Sequence, residues 1–269
     1  MKKNLWVLAL MLVVAAAFGG VASATLPPGT PLKWSQPPVP ADPAVPNVYW
    51  GWDEPSVYTG PPRVADDWLC QTNVPVTDIH WWGSYVGWDG SGSRPLAPVA
   101  FWFGIYTDVP AVPGLAPSHP GDLVWQYTSA NYAEDFVGYD QDPRGSPIID
   151  HTFQYTVYLP QPEWFYQPPT SQVWWLSIAA VYPTGATPTN IWGWKTRPHY
   201  YGDDAVRLIG QYLPGQEPGA SWQPIEYPTG TSWDMAFELS TVPEPGSLLA
   251  LGSGLAGLLG CGLLRRRRA

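Results

Sequence analysis

The chain is poor in the residues that staple or charge a small domain. It has two cysteines, and Cys261 sits in an apolar run at the C-terminal end. Cys70 is therefore alone in the body, which excludes an intrachain disulfide framework there; it reads as a buried, inert thiol. Charged residues make up 13% of the chain. Basic ones are scarcest: between Thr25 and Val242 seven Lys or Arg stand against twenty-one Asp or Glu, a net charge of −14. Such a body lacks the basic surface that displaces counterions from nucleic acid, so no nucleic-acid partner is expected. Catalytic signatures are missing as well. There is no Gly-x-Ser-x-Gly elbow, no His-Glu-x-x-His and no cysteine pair at metal-ligand spacing, and none of the four histidines falls in a triad signature. His80 alternates with tryptophans, while His119 and His199 adjoin prolines. Catalytic residues are thus expected to be none, and the protein is read as a non-enzyme. Long helical periodicity is also absent between the two ends.

Proline, glycine and tryptophan are plentiful: 33, 27 and 17 residues respectively. The first two argue for many turns and short strands. Segment 1–24 reads as a signal peptide. Lys2 and Lys3 precede an apolar stretch from Leu5 to Phe18, and Ala22-Ser23-Ala24 offers small residues for cleavage. Segment 25–46 is a Pro-rich, extended lead-in with few ladder hydrogen bonds, and 47–241 is the expected β domain. Segment 242–269 begins Val-Pro-Glu-Pro and continues through nineteen uncharged residues, 246–264, to Arg265, Arg266, Arg267 and Arg268. Nineteen residues of helix span about 28 Å, near the hydrocarbon thickness of a bilayer. The arginines fix the tail tip on the cytoplasmic side and the body outside.

Pro243-Glu244-Pro245, an apolar helix and an arginine cluster, in that order, resemble the bacterial PEP-CTERM sorting signal. The resemblance implies an exosortase-type membrane transpeptidase as partner, acting near Pro243-Glu244-Pro245. It also implies an inner-membrane-anchored precursor, a cell-surface or extracellular destination, and an association with exopolysaccharide and biofilm.

The body reads as strands of period two. Residues 76–83, 99–106, 152–159, 173–182 and 233–239 alternate cleanly, and weaker strands are expected at 64–69, 122–127, 205–209 and 221–227. The fold class expected is all-β, an antiparallel two-sheet sandwich, jelly-roll-like, with a signal helix and a transmembrane helix at the ends. The stretches Ala65-Asp66-Asp67-Trp68, Val76 to Tyr85, Ser118-His119-Pro120-Gly121, Gly193-Trp194-Lys195-Thr196 and Asp203-Asp204-Ala205-Val206 resemble a β domain of unknown function recurring in exported bacterial proteins. That resemblance spans roughly Lys33 to Ser240 and implies no activity.

Two kinds of site are expected. Adjacent strand residues face opposite sides, so one member of Trp81-Trp82 and of Trp174-Trp175 should be core. Trp82 and Trp175, with Trp194 and Tyr201, would then be ligand-binding aromatics that stack on exopolysaccharide rings. The alternative is that covered sheet faces make all of them core, leaving a purely structural surface protein. Asp66, Asp67, Asp203 and Asp204 are candidate calcium ligands, as is an acidic loop from Glu134-Asp135 to Asp140 and Asp142, because hard cations take several oxygens. A third reading, a carbohydrate-active hydrolase, would need two carboxylates across an open cleft.

Overall fold

The computed structural model describes residues 31–59, 62–146, 149–168, 172–209 and 222–241. The signal segment 1–24, the start of the lead-in, and the tail 242–269 with its expected membrane helix lie outside the described residues. No helix among the described residues is long and apolar enough to cross a membrane.

The strands are β1 (Leu32–Gln36), β2 (Val48–Trp50), β3 (Asp53–Pro55), β4 (Arg63–Cys70), β5 (Asp78–Tyr85), β6 (Ala100–Val109), β7 (His119–Ser129) and β8 (Ala133–Gln141). They continue with β9 (His151–Tyr158), β10 (Gln172–Val181), β11 (Trp192–Pro198), β12 (Val206–Leu208), β13 (Trp222–Pro224), β14 (Trp233–Met235) and β15 (Phe237–Ser240). One sheet has the order β1-β15-β5-β9-β8-β2, with β11 beside β5 and carrying β3 and β14. The other has the order β13-β12-β4-β10-β6-β7. The chain is thus all-β in two sheets, as expected, with one correction: β2 and β8 run parallel, Tyr49 opposite Asp140.

Three further departures follow from pairing that a single strand's pattern does not reveal. The lead-in contains β1, which lies antiparallel to β15 with Ser35 opposite Glu238. The expected acidic loop is instead β8, held between β9 and β2. The segment 233–239 is two strands, one paired to β11 and the other to β1 and β5.

The core lies between the sheets, where the inward sets of β5, β6, β9 and β10 meet. Trp81 is its hub. Its ring stacks on Tyr155 at 5.4 Å and meets Phe101 and Phe103 of the opposite sheet edge-on at 5.0 and 5.1 Å. Edge-to-face and offset pairs add about 0.5–1.5 kcal/mol each beyond the area they bury.

A second apolar cluster covers the outer face of the β4/β10/β6 sheet. Trp102, Tyr106 and Trp175 pack there with Val206, Leu208 and Trp222, flanked by Tyr58 and Leu123. The Arg63 guanidinium lies 4.6 Å over the Trp102 ring. This cluster overturns the expected exposure of the outward tryptophans. Trp175 does point away from the main core, but it is 0% exposed, and its Nε1 donates to Asp108 Oδ1 at 2.8 Å. Trp82 is likewise 2% exposed. Period two fixes the side a residue faces, while neighbouring elements decide whether that side is wet.

Candidate functional site

Of the four aromatics expected at the surface, three are core. Trp194 is fully buried between the sheets, with its Nε1 donating to the Ala236 carbonyl at 2.9 Å. Only Tyr201 keeps part of its ring exposed, and that ring meets Trp34 edge-on at 4.9 Å. The sequence offers no continuous aromatic platform through these residues.

The four candidate calcium ligands come from β4 and from the turn after β11, and the structure brings some of them together. Asp66 is committed to the fold. Its Oδ2 accepts from Gln36 Nε2 and from the Met235 amide, both at 2.7 Å, and its Oδ1 accepts from the Asp67 amide. Asp67, facing the other side of β4, lies against Gly202, whose missing Cβ leaves room for the carboxylate. Neither Asp67 oxygen completes a well-formed hydrogen bond, although the Asp203 amide leans toward it. Burial, then the charges of Asp203 and Asp234, push the Asp67 carboxyl up to about 8. Burial and the same Asp234 raise Asp66 well above the usual carboxylate range. Asp203 and Asp204 line a pocket of about 200 Å³ with Ser118, His199 and Ser232. Among the described residues no three His, Cys, Asp or Glu side chains are arranged to hold a metal ion. The motif residues Pro243, Glu244 and Pro245 and the four arginines lie outside the described residues.

His199, Ser232 and Asp234 meet at that pocket, yet they do not form a proton relay. Ser232 Oγ and Asp234 Oδ1 both approach the same ring nitrogen, Nδ1, at 2.9 and 3.0 Å. A relay needs the acid on one nitrogen and the nucleophile on the other. His80, the strand histidine, is buried, its Nδ1 is 3.0 Å from Thr156 Oγ1, and desolvation pulls it down to about 4.

The sequence reading missed a second buried polar site. β8 carries Asp140 one residue before its end, β3 begins with Asp53, and β11 places Lys195 directly opposite Asp53. All three are buried. Lys195 Nζ lies 2.7 Å from Asp140 Oδ1, although its approach lacks hydrogen-bond angles. Thr152 Oγ1 donates to the same oxygen at 2.6 Å. Among the described residues no ion pair is formed by Asp53, and the Lys195 ammonium is paired with Asp140. Burial first, and then the adjacent Asp140 charge, raise Asp53 well above the usual carboxylate range, and neither Asp53 oxygen completes a well-formed hydrogen bond among the described residues. Nearby Asp150 accepts from the Gly87 amide at 3.0 Å, and burial pushes it up to about 6.

Above Asp140 opens a cleft of about 800 Å³, lined by Asp89, Tyr139, Gln141, Asp142, Ser146 and the apolar Val48 and Ile149. Tyr139 is 40% exposed. Asp142 is tied to Arg144, whose guanidinium covers the Trp52 ring at 4.5 Å. Asp53 and Asp140 touch each other below this cleft. They do not flank an open space of the kind glycoside hydrolysis needs. A signal for the site existed in the sequence: Lys195 directly follows Trp192-Gly193-Trp194, an apolar stretch in which a cation needs a buried partner.

Two family models match the chain. The PEP-CTERM protein-sorting motif covers residues 241–268. It implies an exported protein processed by exosortase, a membrane enzyme. A domain of unknown function, DUF7901, covers residues 32–240, close to the span that the quoted motifs outline. No curated protein and no solved structure matches. With four-fifths of its length inside that family's bounds and a sorting motif directly after, this chain belongs to the DUF7901 family and carries a PEP-CTERM signal.

Proposed function

We propose that the protein is a non-catalytic, structural component of the cell surface or extracellular matrix, delivered there through its sorting signal. The observation that supports this reading is the burial of the aromatics. Trp82, Trp175 and Trp194, the residues best suited by sequence to stack on sugars, all serve packing instead. An aromatic-dense core suits a part that must keep its shape outside the cell without a disulfide.

One observation favours a second reading, in which the domain also binds exopolysaccharide. The cleft beside Tyr139 combines an exposed ring with carboxylate, amide and hydroxyl groups. That is the mixture that recognises a hydroxyl-rich, uncharged saccharide. The experiment is a polysaccharide pull-down and glycan array with the full chain in detergent, with and without calcium. No retention on any glycan is the outcome expected of a structural part. Retention that disappears in Tyr139→Ala, with the near-ultraviolet circular dichroism unchanged, would establish the saccharide-binding reading instead.

A further inference from the structure

The buried Lys195, Asp140 and Asp53 have a chemistry that an ordinary ion pair does not need. Surface proteins hold buried ion pairs at a desolvation cost, because neither charge can reach water. Here the amine nitrogen is already at 2.7 Å from a carboxylate oxygen, outside hydrogen-bond geometry. A second carboxyl, Asp53, lies beside the first, close enough for the Asp140 charge to act on it. Asp53 and Lys195 are cross-strand neighbours, and Asp140 comes from β8 of the same sheet. Trp52 and Trp194, the residues beside Asp53 and Lys195 in the chain, are themselves buried, while Asp140 forms part of the floor of the cleft.

We propose that Lys195 and Asp140 become joined by an amide bond between their side chains, with Asp53 as the acid–base residue for that step. Transfer of one proton from the Lys195 ammonium to the Asp140 carboxylate turns the ion pair into an amine and a carboxylic acid. The amine lone pair attacks Asp140 Cγ. Asp53 gives its proton to the departing hydroxyl, which leaves as water, and takes the proton released from the nitrogen. Asp53 is regenerated, one C–N bond replaces one C–O bond, one water is lost, and nothing is oxidised or reduced. The raised proton affinity of Asp53 suits it to hold a proton and return it. A desolvated lysine is a competent nucleophile once neutral. Fixed neighbours supply the orientation that makes amide formation fast compared with the same reaction in solution. The product removes two charges from buried side chains, which favours it over the ion pair. The bond would tie the end of β8 to β11 across the sheet that also holds β2 and β3. The inference does not depend on whether the domain binds a saccharide.

The test is peptide mapping and mass spectrometry of the denatured full chain. The expected result is a chain lighter by one water that trypsin does not cut after Lys195. A branched fragment should then contain both Asp140 and Lys195. Clean cleavage after Lys195 with the full sequence mass would overturn the proposal. Asp140→Ala and Lys195→Arg should both restore the unbranched mass. For Asp53, a time course on freshly translated chain compares wild type with Asp53→Asn, in which cross-linking should slow by about a hundredfold or more. A wild-type rate in that variant would remove Asp53 from the step. If Asp53→Asn does not fold, the pH profile of wild-type cross-linking replaces it: a rate that falls as Asp53 loses its proton supports the role, and a flat profile overturns it.

Discussion

Two buried acidic sites lie in one sandwich and are neutralised differently. At the first, Lys195 pairs with Asp140, while burial and the Asp140 charge raise the proton affinity of Asp53. At the second, Asp66, Asp67 and Asp234 have no buried lysine. The nearest strong cation, Arg197, donates to the Pro37 carbonyl at 2.8 Å and covers the Tyr200 ring. Asp234 is held by the Tyr200 and Tyr201 amides at 2.6 and 3.0 Å, and burial raises the proton affinity of Asp66 and Asp67. The contrast teaches that a buried acid needs either a partner charge or a proton, and that the choice sets its response to pH. The first site should be sensitive to loss of its cation and the second to alkali.

The sharpest break of this contrast is Lys195→Met. It strands Asp140 beside Asp53, and denaturant unfolding at neutral pH should show a loss of about 3–5 kcal/mol. Next comes the pH dependence of stability. Asp67 titrates near 8 in the fold, against about 3.9 for a free aspartate. A raised carboxyl stabilises the fold fully below the unfolded value, and that contribution fades as pH rises through the folded value. The unfolding free energy from urea titrations should therefore decline between about pH 4 and pH 8, by a few kcal/mol in all, and Asp67→Asn should flatten that decline while leaving the Lys195 site unchanged. A wild-type midpoint that climbs with pH would reverse the assignment. Smaller again is Trp175→Phe, which keeps the packing of the outer cluster but removes the hydrogen bond to Asp108. A cost of roughly 1–2 kcal/mol is expected from thermal melts. The smallest effect belongs to His199→Ala. Its ring is 42% exposed, so its pair with Asp234 should contribute no more than about 1 kcal/mol, shrinking further in high salt.

Much of the fold was legible because alternation is a property of single strands. The inward sets of β5, β6, β9 and β10 are the ones their periodicity gives, down to Trp81, Phe103, Val157 and Ile178. What was not legible depends on partners distant in sequence. Asp135 and Asp140 look like loop residues until β9 and β2 flank them. Trp175 faces outward as its position requires, yet Tyr106, Leu123 and Trp222 surround it, and none of these is near it in the chain. The pairing of Lys195 with Asp140 spans β11 and β8, and no spacing rule marks it. Asp67 and Asp203 do approach each other, but through a glycine at 202 that only the structure shows to be vacant space.

β15 has mechanical meaning as well. It ends at Ser240, is flanked by β1 and β5, and the sorting motif begins at residue 241. The Thr241 amide is still bonded to the Pro31 carbonyl at 3.0 Å, so the folded body continues to the edge of the signal with no slack between them. A pull delivered through the C-terminal end therefore enters an inner strand along its own axis. It loads the ladders to β1 and β5 together, in shear, so that they resist as a set and do not open one rung at a time.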